Sequence, residues 1–147
     1  MVHSRYVLPD GSQAARCLKL ALADAHIAPT EIGYVNAHGS STPLNDSVET
    51  IAIKRVLGDH AHRIPVSGTK GLYGHALGAS GAFEAAICAL ALHHEWVPPT
   101  VNLDSPDSAC DLDYVPRTGR AARVEHVISN SFGFGGINAA LVLRRAS

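Results

Sequence analysis

The chain has 147 residues, of which 46% are hydrophobic and 17% are charged. This length and composition suit one compact domain with a buried core, so the chain need not be disordered. Twelve Lys and Arg residues against 13 Asp and Glu residues give a formal net charge of -1, so the charge does not indicate a nucleic-acid or membrane-surface partner.

The first part of the chain predicts two helices that alternate with two strands. Apolar residues recur at helical spacing in the first helix, and Pro29 follows its end. The second helix opens on Asp46, with Glu49 three residues later in the pattern of a capping box. In chain order the predicted elements are a loop over 1–11, a helix over 12–26, a strand over 32–37, a loop over 40–45, a helix over 46–57 and a strand over 64–67.

The second part predicts one long helix and two closing strands. The helix is apolar nearly all round from Ala76 to Leu92, which is typical of a helix that is buried on most sides. The predicted fold class is therefore α/β, a layered sheet with helices on both faces and one buried helix. The predicted elements are a loop over 68–74, a helix over 75–95, a polar loop over 104–113, and strands over 124–130 and 137–143.

The three cysteines indicate a reducing compartment. Cys17, Cys88 and Cys110 are far apart, odd in number and without CxxC spacing. Cys17 and Cys88 fall in apolar helical patterns, so they are expected to be buried free thiols in a cytoplasmic protein. The apolar run 82–92 is interrupted by Glu84 and is too short to span a bilayer, and no secretory leader pattern precedes it.

Three turns that follow predicted strands carry the residues best suited to chemistry. In open α/β sheets, sites gather at the carboxyl ends of strands, so the turns 38–45, 68–75 and 131–138 are expected to meet. His38 and His75 each lie in a glycine-flanked turn, a pattern equally compatible with a functional and a structural role. Four other histidines are interpreted as ordinary surface or packing residues: His60, His62, His93 and His94.

Glu84 lies within the long apolar helix, where an isolated buried carboxylate would be costly. Lys70, in the preceding loop, is the nearest candidate cation in the sequence. We therefore hypothesise an ion pair between Lys70 and Glu84. The alternative is that Glu84 occupies a single exposed stripe of the helix.

Two glycine-containing runs do not fit nucleotide-binding motifs. Residues 68–71 lack the GxxxxGK[ST] spacing, and residues 132–136 are not a GxGxxG run followed by a helix. The histidines and cysteines do not show the spacing that is typical of zinc ligands. The sequence therefore predicts no metal and no diffusible redox cofactor.

Four motifs resemble signatures of the β-ketoacyl-acyl-carrier-protein synthases, in the same order along the chain. They are residues 35–43 (VNAHGSSTP), 68–81 (GTKGLYGHALGASG), 97–104 (VPPTVNLD) and 130–138 (NSFGFGGIN). The resemblance implies a thiolase-like fold, in which two similar α/β halves stack with helices buried between their sheets. Residues 1–147 would form the C-terminal ketosynthase domain, without the cysteine-bearing N-terminal half. Both a naturally split enzyme and a shortened one are compatible with this length.

The resemblance assigns catalytic roles to five residues. His38 and His75 resemble the pair that assists decarboxylation of the malonyl group and stabilises the enolate oxygen. Lys70 resembles the lysine that organises the site, and Glu84 matches its acidic partner. The backbone N–H of Phe134 resembles an oxyanion-hole donor.

Further residues resemble the substrate-binding parts of the family. Thr42, and Ser40 more loosely, match hydroxyls that hydrogen-bond a phosphopantetheine arm, which belongs to the acyl carrier protein and is not a cofactor of this chain. A glycine-rich loop resembles a mobile gate to the acyl pocket. Ile137 replaces the usual threonine after the double glycine of this loop. The gate residues are Phe132, Gly133, Phe134 and Gly135.

No cysteine of the chain is expected to be the family's nucleophile. A reactive thiol needs a position that stabilises its thiolate, whereas Cys17 and Cys88 lie in mid-helix and Cys110 in an acidic loop. We expect a hetero-oligomer in which a cysteine-bearing ketosynthase half or partner ketosynthase completes the site for acyl carrier protein. The alternatives are a non-catalytic subunit similar to a chain-length factor, and a dehydration or hydrolysis run by the histidine pair alone.

Overall fold

A computed structural model of the chain describes residues 10–146, which are built around a four-stranded sheet. The strand order is β2-β1-β5-β6, with β1 parallel to both β2 and β5, and β5 antiparallel to β6. A separate two-stranded ribbon pairs β3 with β4. The strands are β1 (Ile32–Asn36), β2 (Val66–Ser67), β3 (Trp96–Val97), β4 (Arg120–Ala121), β5 (His126–Phe132) and β6 (Asn138–Arg144).

Helices cover both faces of the sheet, as predicted. Tyr34 and Val35 are neighbours on β1, so their side chains point to opposite faces. Val35 packs in a core with α1 and α2, whereas Tyr34 packs in a second core with α4. No helix among the described residues is long and apolar enough to cross a membrane. The helices are α1 (Ser12–Asp24), α2 (Asn45–Leu57), α3 (Lys70–Tyr73) and α4 (Ser80–His94).

The long helix begins five residues later than predicted, at Ser80 rather than at position 75. Gly74 and Leu77 have φ angles of 82° and 50°, which no α-helix contains, so the chain between them turns before α4 starts. The residues predicted as a loop before this turn form the short helix α3.

Within the described chain, α4 is covered on one side only, which corrects the prediction of a helix buried on most sides. Phe83 and Leu90 are 50% and 56% exposed. The covered stripe contains Glu84, which is 0% exposed, so the alternative of an exposed Glu84 is wrong. The apolar pattern extends over two faces of α4, but among residues 10–146 only one of these faces is packed against other elements. The buried residues of α4 are Ser80, Glu84, Cys88, Ala91 and Leu92.

Several element ends differ from the predictions. β2 is shorter because Pro65 has no N–H to donate to a strand ladder. β5 continues through Phe132, which pairs with Asn138, so part of the predicted glycine-rich turn is strand. The sequence analysis missed β3 and β4, which have only two residues each. Positions 1–9 of the predicted N-terminal loop lie outside the described residues.

Candidate active site

The two motif histidines meet at one edge of the sheet. His38 follows the carboxyl end of β1, and His75 lies in the turn between α3 and α4. Their ring centroids are 5.6 Å apart with the planes at 76°. The ring of Phe132, at the end of β5, lies 5.8 Å from that of His38. All three predicted turns therefore converge, because parallel strands end at the same edge.

His38 is a neutral imidazole at neutral pH. It is 8% exposed. Burial, with smaller contributions from the charges of Lys70 and His75, lowers the pKa of His38 to about 4. Its Nδ1 lies 3.4 Å from the Nζ of Lys70, and an ammonium group can only donate. Nδ1 is therefore the acceptor, and the ring proton is on Nε2.

His75 is held in the same tautomer by different partners. The backbone N–H of Leu77 donates to Nδ1 of His75 over 3.1 Å, and Oγ of Ser80 lies 3.2 Å from the same atom. The neutral ring therefore carries its proton on Nε2. The site thus has two imidazole N–H donors, a combination suited to stabilising negative charge that develops on an oxygen.

Lys70 and Glu84 form a buried ion pair, which confirms the sequence-based hypothesis. The ammonium group of Lys70 also donates to the backbone carbonyl of His38, so with Nδ1 of His38 its three hydrogens have three acceptors. The hydroxyl of Tyr73 donates to Glu84 over 3.3 Å. This network connects α4 to the His38 turn.

Glu49 is a site residue that the sequence analysis missed. The predicted capping box is wrong, since α2 begins after Leu44 without a side-chain cap. The carboxylate instead accepts from the backbone N–H groups of His38 and Gly39, at 2.8 and 3.0 Å. It also accepts from the amide groups of Asn45 and Asn130, at 3.3 and 3.0 Å.

Glu49 thereby ties the His38 turn to β5 from inside the protein. Burial raises the pKa of its carboxyl, while the four N–H donors stabilise the charged form. One signal in the sequence could have revealed this role. Glu49 shares the apolar face of α2 with Ala52, Ile53 and Val56, where a carboxylate needs buried partners.

We expect Glu49→Gln to destabilise the protein by about 2 kcal/mol, because the new amide NH₂ must face N–H donors and leave them unsatisfied. Urea-induced unfolding at fixed protein concentration measures this difference. Glu125→Gln is the matched control, since Glu125 is exposed. If the two variants unfold at the same urea concentration, Glu49 does not hold the turn.

The gate residues lie beside the histidines. Phe132 is buried, whereas Gly133 and Gly135 are exposed. Gly135 has a φ of 79° within the turn Phe134–Gly136, a conformation that favours glycine. The N–H of Gly133 donates to the carbonyl of Ile137 over 2.7 Å and closes the loop, while the side chain of Ile137 is 75% exposed. The side chain of Phe134 lies outside the described part, and the gating role stays a prediction.

The two predicted pantetheine-binding hydroxyls lie together on the loop after His38. Oγ of Ser40 is 3.2 Å from Oγ1 of Thr42. Thr42 is exposed and Ser40 is partly exposed, so both can be reached from solvent. Their contact with a phosphopantetheine arm stays a prediction.

The three cysteines are free, and none has the properties of an activated nucleophile. Burial raises the pKa of Cys17, Cys88 and Cys110, that of Cys88 to about 12. A raised pKa disfavours the thiolate that attacks. Cys88 is buried as predicted, whereas Cys17 is only partly buried because it lies at the edge of the covered face of α1.

Comparison with known proteins places these motifs in one family. The sequence profile described as "Beta-ketoacyl synthase, C-terminal domain" matches residues 2–104. The 3-oxoacyl-[acyl-carrier-protein] synthase 2 of Coxiella burnetii is 50% identical over 137 residues, which cover 93% of this chain and 33% of that protein. The chain therefore spans about a third of this relative's length.

Solved structures of ketosynthases share the fold of this chain. One is a type II polyketide acyl-carrier protein in complex with its ketosynthase bound to the hexaketide, with a TM-score of 0.95, 41% identity, and coverage of 99% of this chain and 36% of that chain. The ishigamide ketosynthase/chain length factor has a TM-score of 0.91 and 38% identity, with coverage of 97% of this chain and 35% of that chain. The predicted thiolase-like fold is confirmed.

Proposed function

Because the chain belongs to the β-ketoacyl synthase family, whose C-terminal domain it matches, we propose that it is the histidine-bearing part of a condensing enzyme. The reaction is the decarboxylative Claisen condensation of an acyl thioester with malonyl-acyl carrier protein. The observation that carries this proposal is the pair of imidazoles 5.6 Å apart, each with its proton on Nε2. A cysteine-bearing ketosynthase half on another chain supplies the nucleophile.

Decarboxylation is the step for which this chain's own residues are suited. The bond between the carboxylate carbon and the α-carbon of the malonyl group breaks, and CO₂ leaves. The electron pair moves onto the thioester oxygen, which accepts hydrogen bonds from Nε2 of His38 and of His75. Two preorganised donors stabilise this enolate more than the neutral ground state.

Condensation then joins the two substrates. The enolate carbon attacks the acyl thioester carbonyl on the partner's cysteine, and a tetrahedral oxyanion forms. The backbone N–H of Phe134 donates to that oxyanion. Collapse of the intermediate expels the cysteine thiolate and leaves a β-ketoacyl group on the carrier protein. Ser40 and Thr42 hold the phosphopantetheine arm, and the loop with Phe132, Gly133 and Gly135 admits the acyl chain.

An uncovered apolar face supports the need for a second polypeptide. Among the described residues, large side chains on α4, on β6 and in the turns that precede them are solvent-exposed, and exposed patches of this kind mark interaction surfaces. The catalytic edge adjoins this face, because His75 lies in the turn that leads into α4 at Ser80. The cysteine-bearing half would cover both at once. The exposed residues are Leu77, Phe83, Leu90, Ile137 and Leu141.

Reconstitution with the partner tests the proposal. The chain is purified from its native host, and native mass spectrometry identifies what binds it. The complex is then given acyl- and malonyl-carrier protein, and the β-ketoacyl product is measured by mass spectrometry. We expect a cysteine-bearing ketosynthase half to co-purify and product to form. The proposal is overturned if the complex with such a partner forms no β-ketoacyl product, whether or not it releases CO₂.

A second candidate is a non-catalytic subunit that pairs with an active ketosynthase and shapes its pocket. Similarity to the ishigamide ketosynthase/chain length factor and the unsuitable cysteines favour it. The retained network of His38, His75, Lys70 and Glu84 argues against it, since such a subunit has no use for a decarboxylation site.

A further inference from the structure

The segment 97–104 matches a family signature but has no part in the chemistry described above. It lies against the turn that carries Lys70. The hydroxyl of Thr100 accepts a hydrogen bond from the backbone N–H of Gly68 over 3.0 Å. The same hydroxyl donates to the carbonyl of Tyr114 over 2.7 Å. One side chain thus joins the Lys70 turn to a distant part of the chain.

The far side of this junction is firmly held. Thr100 N–H donates to the carbonyl of Val115 over 2.9 Å, and its own carbonyl accepts from Arg117 over 3.0 Å. Val115 is buried with a φ of 47°, which is rare for a β-branched residue and persists only when the surroundings impose it. The hydroxyl of Tyr114 is hydrogen-bonded to Thr50 of α2, the helix that carries Glu49.

Gly71, which follows Lys70, and Gly68, two residues before Lys70, are both in close contact with neighbouring residues. A Cβ atom at Gly71 would lie 2.8 Å from Cγ2 of Val101. On the other side of Lys70, a Cβ atom added to Gly39 would lie 3.0 Å from Cα of Gly68, so the His38 turn and the Lys70 turn touch. Displacement of the segment at Thr100 and Val101 would therefore be transmitted to Lys70 and His38.

We propose that Thr100, supported by the packing of Val101, is a positioning residue that places the Lys70 ammonium group against His38. The inference rests on the proposed function, since it concerns the same site. Thr100 does not touch the reacting atoms. It acts by fixing the backbone at Gly68, two residues before Lys70, while Val101 limits movement at Gly71, one residue after it.

The test uses the complex with the cysteine-bearing partner and measures decarboxylation of a malonyl thioester. Thr100→Val removes the hydroxyl at nearly constant volume. We expect kcat to fall about 10- to 100-fold, the scale of a small misplacement, with KM changed less than about twofold. Thr100→Ser keeps the hydroxyl and should recover most of the rate. The matched control is Thr118→Val, at an exposed threonine of the same region, and its kcat should equal that of the unmodified chain.

The pH profile separates positioning from a loss of folded protein. Protonation of His38 at Nδ1 places an N–H against the Lys70 ammonium group and removes the acceptor that orients the ring, so we expect the rate to fall as pH drops through the pKa of His38. The charged or titratable groups that face this ring are Lys70 and His75, while Glu49 binds its backbone N–H and Glu84 pairs with Lys70. If Thr100→Val lets the ammonium group withdraw, the pKa of His38 rises and the acid limb moves to higher pH. Partial unfolding would lower the rate at every pH without moving the limb.

A second pair of variants tests the Val101 contact. Gly71→Ala introduces the clash with Val101 and should lower kcat, and Val101→Ala in the same chain should restore it. Failure of this restoration overturns the role of Val101.

The possible outcomes distinguish this inference from the proposed function. If the unmodified complex is active and Thr100→Val matches it in kcat and acid limb, the positioning role is wrong. If the unmodified complex is inactive, the proposed function fails, and NMR titration of the His38 ring in the same complex still decides the inference. An unchanged His38 titration in Thr100→Val then overturns it, and an upward shift supports it.

Discussion

Replacing His38 and His75 together by alanine is expected to lower the decarboxylation rate of the complex by about 10³-fold or more, because each N–H donor to a developing oxyanion contributes about 10²- to 10³-fold. Release of CO₂ from a malonyl thioester measures this step without the condensation. The matched control is His93→Ala with His94→Ala, which removes two exposed histidines at the other end of α4. Equal rates in the two double variants would instead support the non-catalytic subunit.

The pH dependence of the same reaction tests the state of His38. Because its folded pKa is lowered to about 4 from the usual 6.5, His38 stays neutral while the pH falls through 6.5. The His38-dependent acid limb is therefore expected near pH 4. The lowered pKa also affects folding, because the unfolded chain binds this proton at a higher pH than the folded chain does. The free energy of unfolding therefore decreases as the pH falls from about 6.5 towards 4. A His38-dependent limb near pH 6.5 would contradict the buried neutral ring.

Replacing Lys70 by methionine is expected to lower the free energy of unfolding by about 3–5 kcal/mol, because the fully buried carboxylate of Glu84 loses its counter-ion. The loss should be partly recovered when Glu84→Met is added, since two apolar side chains of similar size leave no unpaired charge. The double variant should remain inactive, because the carbonyl and Nδ1 of His38 lose their donor.

Urea-induced unfolding of the complex, followed by circular dichroism at one protein concentration, measures these differences. Lys54→Met is the control, because Lys54 forms an exposed pair with Asp111 and should cost at most about 1 kcal/mol. A Lys70→Met variant as stable as the control would show that Glu84 is protonated or finds another partner. A double variant less stable than Lys70→Met alone would show that the polar network is needed for folding.

The sequence by itself determined the parts of the site that follow from the position of strand ends and from the cost of burying an unpaired charge. Lys70 and Glu84 are 14 residues apart, and the cost of a lone carboxylate in an apolar helix was enough to pair them. The meeting of His38, His75 and Phe132 followed from strand ends in an α/β sheet. Apolar periodicity also placed most helices and strands to within a few residues.

Only the tertiary structure decided which distant polar groups hold these residues in place. Glu49 contacts Asn130 across 81 positions of sequence, and Thr100 contacts Gly68 across 32. The apolar face that Glu49 shares on α2 indicates that this carboxylate needs buried partners, but it does not say which ones. Thr100 lies in the signature 97–104, where no local pattern identifies Gly68 as its partner. The structure also decided that, within the part of the chain it describes, α4 is covered on one face only. Periodicity reports that a side chain is apolar, whereas burial depends on whether a second layer is present to cover it.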